Sequence, residues 1–188
     1  MKRKRSKATA YVTYMAFLVA LEVVLNRFCS INTMGLKIGF SFVPIVVAAS
    51  LFGPVHAAVI YALADFLGAI LFPIGIYHPG FTLCAATMGV VYGICLHIPE
   101  GEGRGVIRRK RVRVFPNVVA AALINNLVFG LVINTFWVSM LYDSKNYLGW
   151  FLYRLPEYAV LIPLNIILIP ALLRLCRELK RTMEGKGI

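Results

Sequence analysis

Apolar runs close to the length of a bilayer crossing govern what this chain can fold into. A helix needs about 20 such residues to cross the hydrocarbon core, with roughly 17 to 25 as the range. Six stretches approach or reach that length: Ala10–Arg27, Ile38–Phe52, Val55–Phe72, Gly80–Ile98, Val114–Leu141 and Leu155–Cys176. Hydrophobic residues make up 60% of the 188 positions, and the mean hydropathy is +0.77. No soluble domain of this size hides so much apolar surface, whereas a bilayer does. The expectation is an all-α polytopic membrane protein, one domain over residues 1–188, with six transmembrane helices. Spans two and three meet across the tight turn Phe52-Gly53-Pro54, where a proline without an N–H suits the start of the next helix. The two could instead form one re-entrant hairpin, but Val55–Phe72 alone is long enough to cross.

Charge fixes the orientation. Charged residues are only 15% of the chain, yet the formal net charge is +12, so the charges are segregated. Five basic residues lie at the amino end (Lys2, Arg3, Lys4, Arg5, Lys7) and six between spans four and five (Arg104, Arg108, Arg109, Lys110, Arg111, Arg113). Five more close the chain (Arg174, Arg177, Lys180, Arg181, Lys186). With six crossings all sixteen of these, out of twenty Lys and Arg, fall on one side, leaving Arg27, Lys37, Lys145 and Arg154 for the other. The positive-inside rule then puts both termini in the cytoplasm of a cell-membrane protein. Five or seven spans would split the basic ends. A basic run such as Arg104–Arg113 also suits nucleic acid, but it lacks interleaved aromatics, and topology plus attraction to anionic headgroups explains it; no nucleic-acid partner is expected.

Other classes fall away on motif grounds. Cys29, Cys84, Cys95 and Cys176 form no C-x-x-C pair and have no nearby histidine at ligand spacing, so neither a disulfide framework nor a metal site is expected. The basic start followed by an apolar run imitates a signal peptide, but the run ends in Asn26-Arg27-Phe28-Cys29 without a small-x-small cleavage site. The chain has no G-x-x-x-x-G-K-[ST] loop, no inverted repeat, and neither H-E-x-x-H nor G-x-S-x-G. No catalytic residue and no cofactor in this chain are expected.

Ionisable groups inside a membrane are expensive, so each is a functional candidate. With both ends inside, Glu22 and Arg27 fall in the outer half of span one and Asp65 near or just beyond the middle of span three. Arg154 and Glu157 lie at the outer end of span six, Asn125, Asn126 and Asn134 in the middle and outer part of span five, and His78 and Thr82 at the outer start of span four. A polar outer half over a nearly bare inner half suits a cavity open to the outside rather than a channel. Plainer readings stand beside this one. Asp65 and Glu157 equally suit neutralising Arg27 and Arg154, the two arginines suit snorkelling to the rim, and His78 suits a loop role beside Pro79-Gly80. Trp137, Trp150, Tyr142 and Tyr147 suit an aromatic belt, with Trp137 deep enough to stack on a planar ligand. Small residues spaced by one turn, Ala16/Ala20 and Ala85/Gly89/Gly93, permit close helix approach. Internal packing is the default for the glycines, and contact with another subunit is as well supported for Ala16 and Ala20.

Several motifs carry a resemblance. Arg27-Phe-Cys-Ser30-Ile-Asn-Thr33 leads into Leu36-Lys37-Ile-Gly39-Phe-Ser-Phe-Val-Pro44; Phe52-Gly53-Pro54, Asp65-x-x-Gly68 and Phe72-Pro73-Ile-Gly75-x-Tyr77-x-Pro79-Gly80-Phe81-Thr82 follow. Over somewhat under half its length the chain resembles the substrate-binding S components of energy-coupling factor (ECF) vitamin transporters, folate branch. Spans five and six match only in hydropathy and in an arginine opening span six. The resemblance implies six helices, an outward-facing vitamin pocket covered by the first outer loop, and no enzymatic activity. It also implies docking through Ala16 and Ala20 onto a transmembrane coupling subunit driven by two ATPase subunits, which use the ATP.

Folate suits the residues on its own chemistry. Arg27, Lys37 and Arg154 match the two carboxylates of its glutamate tail through charge-assisted bonds. Asp65, helped by Asn125 or Asn126, suits the amino and ring N–H donors of the pterin. The candidate substrate-binding set is Arg27, Ser30, Lys37, Asp65, His78, Thr82, Asn125, Asn126, Trp137, Arg154 and Glu157. Open alternatives are an S component for another vitamin, a membrane enzyme using Asp65 or Glu157 as acid or base, and a purely structural subunit.

Overall fold

The structure, a computed structural model, describes residues 2–33, 36–98, 104–142 and 146–185, with side chains described outside 2–8, 10, 32–36, 104–113, 181 and 183–185. It is mostly helical. Helix α1 spans Lys2–Arg27, α2 Phe42–Phe52, α3 Pro54–Leu71 and α4 Pro79–Leu96. Helix α5 (Arg104–Leu123) runs without a break through a π-helical stretch, Ile124–Ile133, into α6 (Asn134–Tyr142), and α7 covers Tyr147–Gly185. Counting α5 through α6 as one rod, six helical rods result among the described residues. Among the described residues, four stretches are long and apolar enough to cross a bilayer: Pro54–Leu71, Pro79–Leu96, Val114–Tyr142 and Tyr147–Lys180.

Helix boundaries depart from the apolar runs for local reasons. α1 starts at Lys2 rather than Ala10, because lysine and arginine sustain a helix as well as most apolar residues do. α7 starts at Tyr147 rather than Leu155: the Asn146 side chain accepts the Gly149 N–H at 3.0 Å, which caps the helix eight residues upstream. One short β-hairpin, which the sequence did not announce, stands among the helices. Ile31–Thr33 (β1) and Leu36–Ile38 (β2) pair as an antiparallel hairpin, with Ile31 opposite Ile38 and Asn32 opposite Lys37. Ile38 therefore ends a strand, and the second helix begins only at Phe42.

That late start matters for the site. α2 has 11 residues, about 16 Å of helix, roughly half a bilayer core. It is buried nearly all round, with Ile45, Val46, Ala48 and Ala49 fully enclosed by Ala57 and Ile60 of α3, Tyr92 and Leu96 of α4, Val118 and Ala121 of α5, and Ile169 and Leu173 of α7. The core thus fills the end of the bundle that holds the α2–α3 turn, while the opposite end, beneath the hairpin, has no central helix. The turn itself depends on Gly53, at φ +85°, a left-handed conformation that side chains disfavour. Glycines of α4 bring α3 and α4 into backbone contact: a Cβ at Gly89 would stand 2.6 Å from the Ala57 carbonyl oxygen, and one at Gly93 would collide with Pro54. Ala16 and Ala20, by contrast, lie exposed on the outside of α1.

Candidate ligand cavity and family

Beneath the hairpin lies a cavity of about 620 Å³. Every rod contributes to its wall: Asn26 and Arg27 at the end of α1, Lys37 in β2, Phe42 opening α2, Tyr61 and Asp65 of α3, Met88 and Tyr92 of α4. Asn126 and Gly130 come from the π-helical stretch, Asn134 and Tyr142 from α6, and Arg154, Glu157, Tyr158 and Asn165 from α7. The π stretch is well placed for this. Its wider turn, followed by the tighter α turn, keeps Asn126, Gly130, Asn134 and Val138, each four residues apart, on the cavity side.

The polar groups form two sets. The cations come first. Arg27 lies across Gly68, where an added Cβ would meet its Nε at 2.9 Å, so a side chain at position 68 would displace the guanidinium. Arg154 is buried and held on three sides: Nη1 donates to Thr135 Oγ1 at 3.1 Å, Nη2 to Tyr158 Oη at 2.7 Å, and Nε stands 3.5 Å from Glu157 Oε2. Lys37 is carried by the hairpin, whose backbone N–H at that residue donates to the Glu157 carboxylate. Burial, reinforced by the Arg27 charge, pushes the Lys37 ammonium down to about 8.

The second set consists of acceptors. Asp65 takes one hydrogen bond, from Thr82 Oγ1 to its Oδ2 at 2.7 Å, and Tyr77 Oη lies 3.0 Å from that same hydroxyl. Asn26 Oδ1, Asn134 Oδ1 and Asn165 Oδ1 are buried cavity-wall oxygens with no hydrogen-bond partner, and Glu157 Oε2 has only the long ion pair. Arg27 Nε is likewise a buried donor without a partner. Buried polar atoms are nearly always satisfied in folded proteins, so the unpaired atoms on the wall are candidates for bonding a ligand, although Glu22 Oε2, Asn125 Oδ1 and Trp137 Nε1, away from the wall, are unpaired too.

Six of the sequence-predicted binding residues line the cavity: Arg27, Lys37, Asp65, Asn126, Arg154 and Glu157. The other five sit behind the wall. Thr82 supports Asp65, and Asn125 Nδ2 donates to the Met88 carbonyl at 3.2 Å, tying the π stretch to α4. Ser30 donates to the Asn26 carbonyl and packs against Gly39 where the chain turns into the hairpin. His78 caps α4 by accepting the Gly80 N–H at 3.1 Å, and its ring stacks on Trp137 with centroids 4.8 Å apart.

A family model for the substrate-specific component of ECF transporters matches residues 10–173. The chain belongs to that family. Among curated relatives, a folate transporter, FolT, of Clostridium novyi (strain NT) is 36% identical over 163 residues, covering 87% of each chain. Another FolT, of Leuconostoc mesenteroides subsp. mesenteroides, is 24% identical over 162 residues, 84% of this chain and 81% of the relative. Of solved structures, FolT bound with folic acid superposes with a TM-score of 0.74 at 30% identity, covering 87% of this chain and 92% of the other. As an ECF substrate-specific component, the protein is a multi-pass membrane transport subunit and not an enzyme. The interfacial-enzyme alternative, with Asp65 or Glu157 as acid or base, therefore falls.

Sequence reasoning left out Asn26, Tyr61, Tyr92, Tyr158 and Asn165 as wall residues. Two had a signal. Asn26 stands four residues after Glu22 on the same helix face, and Asn165 interrupts the apolar run of span six. The tyrosines carry no such mark, because an aromatic in a span reads equally as core or lipid contact.

Proposed function

We propose that this chain is the folate-binding subunit of an ECF-type ABC importer, capturing the vitamin outside the cell. One observation supports this most: a single cavity combines cations from α1, the hairpin and α7 with unsatisfied acceptors and Asp65. Folate has the matching halves, an anionic glutamate tail and a pterin edge rich in N–H donors. The folate transporters among its relatives, and the folic acid bound to the solved FolT, point the same way. Arg27 and Lys37 take the tail. Asp65 takes the pterin edge. Arg154, already engaged by Thr135, Tyr158 and Glu157, supplies its charge from a fixed scaffold position.

In this reading all six rods cross the membrane, α2 with the help of the hairpin above it, and both termini face the cytoplasm by the distribution of basic residues. The basic segment at 104–113 and Lys145, on which that orientation partly rests, lie outside the described side chains. The cavity, on the hairpin side, then faces outward. Its sequence carries no G-x-x-x-x-G-K-[ST] loop, and in this reading the chain relies on a transmembrane coupling subunit and two ATPase subunits. The exposed pair Ala16 and Ala20 offers the close helix contact for docking. The test is uptake of labelled folate by cells expressing this chain with the coupling and ATPase subunits. Uptake that needs all of them supports the proposal; equal uptake without the coupling subunit refutes it. Impermeant labelling of single cysteines at positions 108 and 145 tests orientation, since 145 should react and 108 should not.

A further inference from the structure

Glu22 is fully buried, at 0% exposure, near the end of α1. It does not line the cavity, and it makes no ion pair among the described residues. A carboxylate so placed is costly in a membrane protein and calls for a role. Its Oε1 accepts a hydrogen bond from Asn26 Nδ2 at 2.8 Å, one turn along the helix. Asn26 is itself buried, 5% exposed, and belongs to the cavity wall.

The contact shows which way the amide faces. An unprotonated carboxyl oxygen accepts hydrogen bonds, whereas an asparagine amide has a donor end and an acceptor end. Facing Glu22 Oε1, Asn26 presents its NH2 to the carboxyl group and turns its own oxygen away. That oxygen, Oδ1, is buried and without a partner. Without Glu22 the amide would be free to flip and offer the cavity an N–H instead.

We infer that Glu22 is a positioning residue that locks the Asn26 amide with its oxygen toward the ligand, so that Asn26 reads an N–H donor of the bound molecule. Resting on the folate proposal, this adds a specificity element beside Asp65: the donor belongs to the 2-amino-4-oxopyrimidine edge of the pterin. A ligand presenting an acceptor there meets oxygen against oxygen and is rejected. Specificity of this kind comes from a group left unpaired by the wrong ligand.

Purified full-length protein in detergent is titrated calorimetrically with folate and with 2-desamino-2-methylfolate, whose edge lacks the amino donors. Wild type should prefer folate by about tenfold or more, the scale of one well-made hydrogen bond whose loss strands a buried partner. In Glu22→Gln the neighbour has a donor of its own, the Asn26 amide is free to flip, and the preference should fall severalfold, chiefly through weaker folate binding. Asn26→Ala should reduce the preference likewise, and the double variant should add little to either. Equal loss of affinity for both ligands in both variants would reduce Glu22 to a packing residue and overturn the inference. If Glu22→Gln does not fold, Asn26→Ala decides alone: an unchanged preference refutes. Absence of folate binding to wild type defeats the folate proposal instead, a result distinct from a preference that survives substitution.

Discussion

Replacing Asp65 with asparagine separates the ring from the tail of the ligand. Asp65 Oδ2 accepts from Thr82 at 2.7 Å, and the substituted amide keeps that bond by pointing its oxygen at Thr82. Its NH2 then faces the cavity, where the pterin brings N–H donors, so a charge-assisted bond becomes donor against donor. Losing one partner of a buried charged hydrogen bond costs about 2 to 5 kcal/mol. Asp65 is half-buried beside an open cavity, which selects the lower part of that range, about 2 to 3 kcal/mol, or roughly 30- to 140-fold in Kd at 1.4 kcal/mol per decade. The loss should be the same for folate and for pteroate, which has no glutamate. Arg27→Ala should behave oppositely: the side chain is half-buried beside an open cavity where water can take its place, so folate weakens by about 1 kcal/mol, roughly fivefold, and pteroate is spared. Calorimetric titration of both ligands into both variants, on protein shown to melt cooperatively, reads the pattern. If Arg27→Ala weakens both ligands equally, Arg27 belongs to the scaffold with Gly68 and the division into tail and ring is refuted.

Lys37 predicts opposite pH responses of stability and binding. Its value is lowered from 10.5 to about 8 by burial and by Arg27, so the folded protein releases this proton first and ligand-free stability should rise as pH climbs between about 8 and 10.5. The anionic tail favours the charged lysine, so folate affinity should fall above pH 8; melting curves with and without folate check both signs, and Lys37→Met should make that fall shallower. Bulky residues at Ala16 and Ala20 should leave folate binding intact while weakening co-purification with the coupling subunit; equal loss of both would assign the pair to internal packing. Gly89→Ala puts a Cβ 2.6 Å from the Ala57 carbonyl oxygen and should lower stability by about 1 to 3 kcal/mol, read as a lower Tm in detergent; an unchanged Tm would mean α3 and α4 do not meet there.

Hydropathy made the helical order legible because a span must be long and apolar, a signal that survives in a single sequence. The hairpin was not legible, since three-residue strands such as Ile31–Thr33 and Leu36–Ile38 are too short for a period-two pattern. The early start of α7 turned on one side-chain bond from Asn146, and no hydropathy window sees a cap. Within the site, charge was the readable feature: Arg27, Lys37, Asp65, Arg154 and Glu157 stand out against apolar surroundings and do reach one cavity. Roles that depend on direction were hidden. His78 and Trp137 stack on one another, and Thr82 turns to Asp65 rather than to the cavity. Asn126 lines the wall while its neighbour Asn125 points to α4, a division set by the π-helical turn that residue spacing alone does not announce.

Titration of the purified full-length protein, without coupling or ATPase subunits, against folate, riboflavin, thiamin and biotin tests the central claim most directly. The cavity predicts one-to-one binding of folate, with riboflavin and biotin far weaker because they lack its paired tail carboxylates and pterin donors, and with the cation thiamin excluded by Arg27, Lys37 and Arg154. Tight binding of thiamin or riboflavin with folate silent would contradict the account.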